Sequence, residues 1–218
     1  MGTITAQAII DKAATQLIDI GNTRWTRAEL LAWLNEAQQT IVLALPQATA
    51  TTALITTVAG AKQSIPTDGW LLLKASRNMG ANGTTPGRSL VEVTHDQLSQ
   101  NNPNWISDAG TASANVYYYL PVDRTTFWIY PPANSSGNRI EVIYSKQPTV
   151  ITSESGTIDV ADVYAPALLN YVLYRACMKD AEYAPGVQLS SQYLNIFMTM
   201  IDASKTRGDA TVLEAEKS

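Results

Sequence analysis

The chain has 218 residues, 45% of them hydrophobic, with 15 Lys and Arg against 19 Asp and Glu for a formal charge of −4. That is enough apolar material for a sizeable core in one large domain or two small ones, and too acidic a balance for a tight sequence-independent DNA binder, which gains affinity by neutralising phosphates. One cysteine, Cys177, excludes an internal disulfide or thiolate cluster, and one histidine, His95, argues against a His-rich metal site or a triad. The N-terminus lacks the basic and apolar regions of a secretory signal, and no apolar run approaches the ~20 residues a membrane helix needs.

The predicted elements begin with a helix near 5–20, with Ala6, Ile9, Ile10, Ala13 and Leu17 at helical spacing. A second helix, 26–45, opens on a Thr26-x-x-Glu29 capping box with Trp25 just outside. Leu30, Leu34, Ala37, Ile41 and Leu45 make its stripe, and Pro46 stops it. From 50 to 147 the period changes to two. Strands are predicted at 51–58, 62–65, 70–79 and 88–94, with a short helix at 94–100 and loops at 80–87 and 100–113. Runs at 115–120, 125–130 and 139–146 alternate and read as an antiparallel meander. A third helix follows at 163–182, with Pro166 in or near its first turn and Leu168, Leu169, Val172, Leu173 and Ala176 inward. Pro185-Gly186 separates it from a fourth helix at 187–206. There Leu189, Tyr193, Ile196, Phe197 and Met200 form a stripe that Leu194, Met198 and Ile201 widen. The last three are either core or subunit contact. Beyond Arg207-Gly208 the apolar pattern stops except for Val212-Leu213, which is a frayed end or an anchor for a partner groove.

The fold class expected is α+β. Helical hairpins at 1–47 and 151–206 form a four-helix bundle, 48–150 is an antiparallel β-rich insertion, and 207–218 is an extended tail. Leu34, Ile41, Leu169, Val172 and Phe197 are expected to be buried together.

Chemistry-bearing motifs are missing: there is no P-loop, Rossmann glycine pattern, zinc spacing or nucleophile elbow. Gly80, Gly83 and Gly87 read as turns. Asp159 and Asp162 suit the electrostatics of a helix N-terminus better than a carboxylate pair. His95 and Asp96 are adjacent, and adjacent side chains point apart. The reading is therefore of a protein without catalytic, cofactor or metal residues. A small hydrolase is opposed by the same lack of a His or Cys constellation. The aromatic group Tyr117, Tyr118, Tyr119, Phe127, Trp128 and Tyr130 supports one alternative in another class, a carbohydrate-binding β module using 117–130. The simpler reading lets alternate rings fill the β core while the others cover its second face.

The order of parts resembles the phage head-to-tail adaptor family. The resemblance rests on Arg24–Gln38, Ala59–Pro66, Arg77–Arg88, Asn101–Trp105 and Ala165–Ala181, in that order, and runs from about 3 to 205. It is closest to adaptors with a β insertion between two helical hairpins. It implies a ring of subunits, usually twelve, docked on the portal, extending the DNA channel and offering a surface to the next tail component: nozzle, fibre or tube. It places the protein in the virion at the head–tail junction, and in the host cytoplasm during assembly, without a membrane. It also implies that the C-terminal tail enters the portal, which assigns Arg207, Val212, Leu213 and Glu214 to that contact. Leu194, Met198 and Ile201 are then candidates for the neighbouring subunit. Asn82, Thr84, Asn104 and Trp105, on loops expected at the tip of the insertion, are candidates for the tail component or a neighbour. Genomic DNA would pass without specific binding, which net acidity suits.

Overall fold

The computed structural model describes residues 2–106, 112–134, 137–179 and 184–215. The chain divides into two compact units, one of residues 1–49 with 148–218 and one of 50–147. The first is helical and the second is built on two β-sheets, so the fold is α+β.

The helical unit contains α1 (Ala6–Gln16), α2 (Arg27–Ala44), α4 (Ala165–Lys179) and α5 (Ala184–Ala215). Thr5 caps α1, its side chain accepting from the Ala8 N–H at 3.3 Å. The Thr26–Glu29 box forms in full, Thr26 accepting from the Glu29 N–H and Glu29 from the Thr26 N–H. A 3-10 turn at Pro46–Thr49 ends α2, and another at Asp162–Tyr164 leads into α4, so Pro166 falls in the first turn of α4, where its missing N–H costs nothing.

Packing differs from a bundle of four equal helices. α4 is the hub, lying against α1, α2 and α5, while α5 packs mainly on α4. Leu34, Ile41, Val172 and Phe197 are buried, as is Leu168, but Leu169, also expected inward, is half-buried. Two helix lengths also differ. α1 stops at Gln16 rather than near 20, because Ile18 adopts φ 56°. α5 runs on to Ala215 in place of an extended tail from 207. Pro185-Gly186 lies in its first turn rather than before it, and Gly208 does not end it. A glycine costs a helix about 1 kcal/mol, which an already nucleated helix entering Ala-, Leu- and Glu-containing sequence tolerates.

The second unit holds β1 (Ala50–Thr56), β2 (Gly60–Ser64), β3 (Gly69–Asn78), β4 (Val91–Glu92), α3 (His95–Asn101), β5 (Tyr118–Pro121), β6 (Thr126–Ala133) and β7 (Arg139–Lys146). The sheets have the orders β1-β7-β3 and β2-β6-β5-β4. The expected meander of the last three runs is only half present. β5 and β6 pair, but β7 crosses to the other sheet and sits between β1 and β3. Just before its last residue, Ala133, β6 carries Pro131-Pro132, which have no N–H to donate, so that stretch is ill suited to continue a ladder. Pairing is antiparallel throughout the named strands except for β4 with β5, which is parallel.

The inner faces of the two sheets meet in one core of Ala75, Phe127, Ile129, Ile140, Val142, Tyr119 and Tyr144 with their neighbours. Asn78 ties that core to its surroundings. Its side chain donates to the Arg88 and Val116 carbonyls and accepts from the Val116 N–H. The outer face of the second sheet carries a smaller cluster, where Trp105, Leu98 and Ala61 pack with Val93, Tyr118, Leu120, Trp128 and Tyr130.

Candidate functional site

Asp159, Asp162 and Cys177, singled out in the sequence, serve the fold. Asp162 accepts from the Thr3 N–H at 2.7 Å, the Thr3 hydroxyl and the Ile4 N–H, contacts that lower its pKa. Asp159 accepts from the Thr149 N–H. Cys177 is buried in α4. Asp96 does approach His95, at 3.8 Å, contrary to the expectation that adjacent side chains diverge. Both side chains are largely exposed, and His95 stands beside Trp105 and Trp128. Among the described residues, no three His, Cys, Asp or Glu side chains are grouped to share a metal ion. No helix among them is long and apolar enough to cross a membrane.

The aromatic group divides as alternation requires. Tyr119 and Phe127 meet edge to face in the inner core, with ring centroids 6.5 Å apart. Tyr118, Trp128 and Tyr130 line the outer face, where Trp105 sets its edge against Trp128 at 5.4 Å. Tyr117 carries Arg88 over its ring at 4.6 Å. A groove of about 530 Å³ remains, lined by Val93, Gln97, Leu98, Asn102, Trp105, Tyr118 and Tyr130. Trp105 is only 1% exposed, so it offers no open platform of the kind a sugar ring stacks on. It is a core residue of the second cluster and not a surface-loop contact. The chain's own α3 and Trp105 cover this face.

Asn82, Thr84 and Asn104 are exposed. The 80–87 loop is anchored at the end of the first sheet opposite the two chain connections: the Arg139 N–H donates to the Gly80 carbonyl at 3.0 Å and its guanidinium to Asn82 at 3.3 Å. Gly83, at φ 72°, lets the loop lie against the side chains of Leu54 and Arg139, where a Cβ would come within 3.0 Å of both. The loop thus folds back onto the sheet. Asn104 and Trp105 lie elsewhere, over the second sheet, and residues 107–111 of the 100–113 loop are outside the described residues.

In the helical unit, the three widening residues of α5 separate. Ile201 is 4% exposed and packed within its own chain, Leu194 is half-buried, and Met198 is 51% exposed. The buried line of α5 runs through Ser190, Phe197 and Ile201, and Phe197 meets the Tyr171 ring of α4 at 5.2 Å. Leu189 and Ile196, expected on that line, are exposed on one flank of it, and Val187 and Met198 on the other. One partner helix covers one stripe and leaves both sides bare. Shallow grooves flank α4 as well, about 260 Å³ by Val163, Pro166, Met200 and Ala203, and about 390 Å³ by Trp33, Tyr174 and Met178. Arg207, Val212, Leu213 and Glu214 have their backbone in α5, and their side chains are outside those described.

One surface feature escaped the sequence reading. Between α1 and α2, Ile18 and Ile20 are 90% and 79% exposed. Asp19 fixes this loop, its carboxylate accepting from the Thr23, Arg24 and Trp25 N–H groups at 2.9–3.0 Å, which lowers its pKa. Trp25 continues the anchor by donating to the Ala176 carbonyl at 3.0 Å, and Lys179 reaches Glu29 at 2.6 Å. The signal was available for Ile18, which falls off the stripe of Ile10, Ala13 and Leu17; Ile20 keeps that spacing and is exposed because α1 ends at Gln16.

Bare apolar flanks on a helix, like those of α5, mark a surface that assembles with other chains. The family model described as SU10 adaptor protein matches residues 4–214, and the chain belongs to that family. It is a phage adaptor protein, a structural component of the virion. No curated protein matches the chain significantly.

Proposed function

We propose that the chain is a non-catalytic head-to-tail adaptor that docks as a closed ring on the portal, extends the DNA channel and provides the attachment surface for the next tail component. The observation that carries this reading is the pair of bare apolar flanks on α5, Leu189 with Ile196 and Val187 with Met198. A subunit in a ring uses two different faces, one toward each neighbour, and heterologous contacts of that kind close into rings. Met198 and Leu194 remain the candidates for the neighbour contact. Asn82, Thr84 and Asn104 are the candidates for the tail component or a neighbour. Genomic DNA would pass through the ring without specific binding, as the formal charge of −4 favours.

The C-terminal segment is the proposed portal contact, through Arg207, Val212, Leu213 and Glu214. Burying Val212 and Leu213 would contribute roughly 1.5–3 kcal/mol each before ordering costs. One such contact is weak, but a ring presents many at high effective concentration. Docking would then follow ring formation rather than free-subunit affinity. The test is to delete residues 207–218 and mix the truncated chain with DNA-filled heads. The expected product folds but neither docks nor retains DNA. Docking equal to that of the full chain would remove the segment from the contact, and imaging the complex by electron microscopy gives the symmetry.

A further inference from the structure

The four sheet edges of the β unit are not treated alike. On one side the sandwich is closed. The chain from Arg88 to Val93 bonds first to β3, with the Asn78 N–H on the Arg88 carbonyl at 3.0 Å and the Leu90 N–H on the Ser76 carbonyl at 2.9 Å. It then bonds to β5, with the Val91 and Val93 N–H groups on the Tyr117 and Tyr119 carbonyls at 3.0 Å. β3 is further broken by three register shifts, and β4 is two residues long. On the other side, β2 is short, shifted in register after Gly60, and carries Lys62. These are the usual devices that stop an edge from pairing with another chain.

β1 has none of them. It is seven residues long, Ala-Thr-Thr-Ala-Leu-Ile-Thr, without charge, proline or glycine. Its register with β7 is unbroken from Ala50 opposite Ser145 to Thr56 opposite Arg139. β7 is its one pairing partner among the described strands. Its inward residues Ala53 and Ile55 are only partly buried against the core, whereas Ile140 and Val142 beside them on β7 are fully covered. A strand laid along β1 would finish both the backbone ladder and that incomplete corner of the core.

We infer that β1 is a docking edge that accepts one extended segment of another polypeptide by strand addition. The occupant is a run of six or seven residues, apolar at alternate positions so that every second side chain joins Ala53 and Ile55. A second copy of this chain is a poor occupant. Its β3 and β4 side is closed, its β2 is blocked, and β1 against β1 makes a two-fold pair. No other described strand has a free edge of matching length.

The test uses the full chain in solution, with hydrogen exchange read by mass spectrometry. The probe is a synthetic peptide with the sequence of β7, residues 139–146, blocked at both ends, since it already carries the alternation that β1 pairs with. At saturating peptide we expect exchange across Thr51–Thr56 to slow at least tenfold, with β3 unchanged and a scrambled peptide inert. Thr52 is exposed, so Thr52→Lys and Thr52→Glu should leave the thermal midpoint unchanged and both abolish the slowing. No slowing with the wild-type chain would overturn the inference, as would slowing that survives both substitutions. So would a peptide-independent protection of β1 in a species of twice the chain mass, which would make a second copy the occupant. The readout needs no portal, so its failure leaves the docking reading untouched.

Discussion

The β unit and the helical unit handle surplus apolar surface in opposite ways. The second sheet of the β unit is apolar on both faces, and the chain spends α3 and Trp105 on covering the outer one. The helical unit has no such cover. Ile18, Ile20, Leu43, Val163, Met178, Leu189, Ile196 and Met198 remain exposed on it. Its apolar core is backed by polar ties to the returning segment. Asn35 clamps the returning segment by donating to the Ile151 carbonyl at 3.0 Å and accepting from the Ile151 N–H at 2.9 Å. Gln38 accepts from the Asp159 N–H at 2.7 Å. Arg27 pairs with Glu154 and Asp11 at 2.6 and 2.8 Å. The β unit covers most of its own apolar surface, leaving the β1 edge unfinished and Leu54, Val58, Val91, Ile106 and Val122 exposed. A unit that is clamped by hydrogen bonds and left apolar outside is one whose burial is completed by neighbours.

The largest test of this contrast removes a core residue from each unit. Phe127→Ala should cost about 3–5 kcal/mol and Leu34→Ala about 2–5 kcal/mol, both by cavity formation. Because the chain divides into two compact units, each substitution should lower protection in its own unit and spare the other, as read residue by residue in native-state hydrogen exchange. Equal loss in both units from either substitution would make the chain one cooperative block. A loss under about 1 kcal/mol for Leu34→Ala would take it out of the core.

The polar clamp is the next target. Asn35→Ala leaves the Ile151 N–H and carbonyl without their partner, at a cost of about 1–3 kcal/mol. Asn35→Asp keeps the acceptor and loses the donor, so it should fall between wild type and Ala in denaturant unfolding. If Asn35→Ala is neutral, the clamp is a consequence of the fold and not a support for it.

How legible all this was depended on range. The cap at Thr26–Glu29 is written in four residues, and it forms. The strand runs were equally local. β7, by contrast, belongs to the sheet of β1 and β3, a choice fixed by which face of Ile140, Val142 and Tyr144 meets Phe127 and Ile129. Adjacent Leu168 and Leu169 differ by 100° on the helix, and only the position of α2 and α5 around α4 decides between them. The width of the α5 stripe was visible, but which of its residues the chain covers was not. Ile201 is inside, while Leu189 and Ile196 are outside, because a single partner helix covers one line. Trp105 looked like a loop contact because its neighbours are Asn and Pro; its burial comes from α3 just before it and from Trp128, which only the folded sheet brings to it.

Acid should separate the units more gently. Asp19, Glu29, Glu154 and Asp162, all in the helical unit, are held below their ordinary values: Asp19 by N–H donors, Glu29 mainly by Lys179, Glu154 by Arg27 and Asp162 by Thr3. A carboxyl lowered by folding stabilises the native state fully above its unfolded pKa and loses that contribution as pH falls through the folded one. In the β unit Asp123 is lowered, to about 2, by the hydroxyl and N–H groups of Thr125 and Thr126. Below pH 4.5, the ordinary Glu value, the helical unit should therefore weaken first. These groups are solvent-exposed, so the effect is small and shrinks with salt. Hydrogen-exchange protection compared at pH 6 and pH 3.5, corrected for intrinsic rates, reads it directly. Earlier loss in β6 and β7 than in α1 and α2 would reverse the assignment.

The smallest expected effect has the opposite sign. Ile18 sits at φ 56°, a left-handed conformation that a β-branched side chain adopts at a cost of about 1–2 kcal/mol. Its side chain is nearly all in solvent, so there is no packing to lose. Asn tolerates that conformation, and Ile18→Asn should stabilise the isolated chain by roughly 1 kcal/mol in denaturant unfolding. Asp19, which anchors the loop to Thr23, Arg24 and Trp25, is untouched by the change. A strained, exposed isoleucine on a rigid loop makes sense if the side chain is buried in the assembly. The same substitution should then weaken incorporation into particles while raising the stability of the free chain. Stability and assembly moving in opposite directions would tie the strain to a contact. If Ile18→Asn destabilises the free chain, the loop is not strained. If it stabilises the chain and assembly is unchanged, the exposed isoleucine is an accident of the loop and the bare surface of the helical unit lies elsewhere.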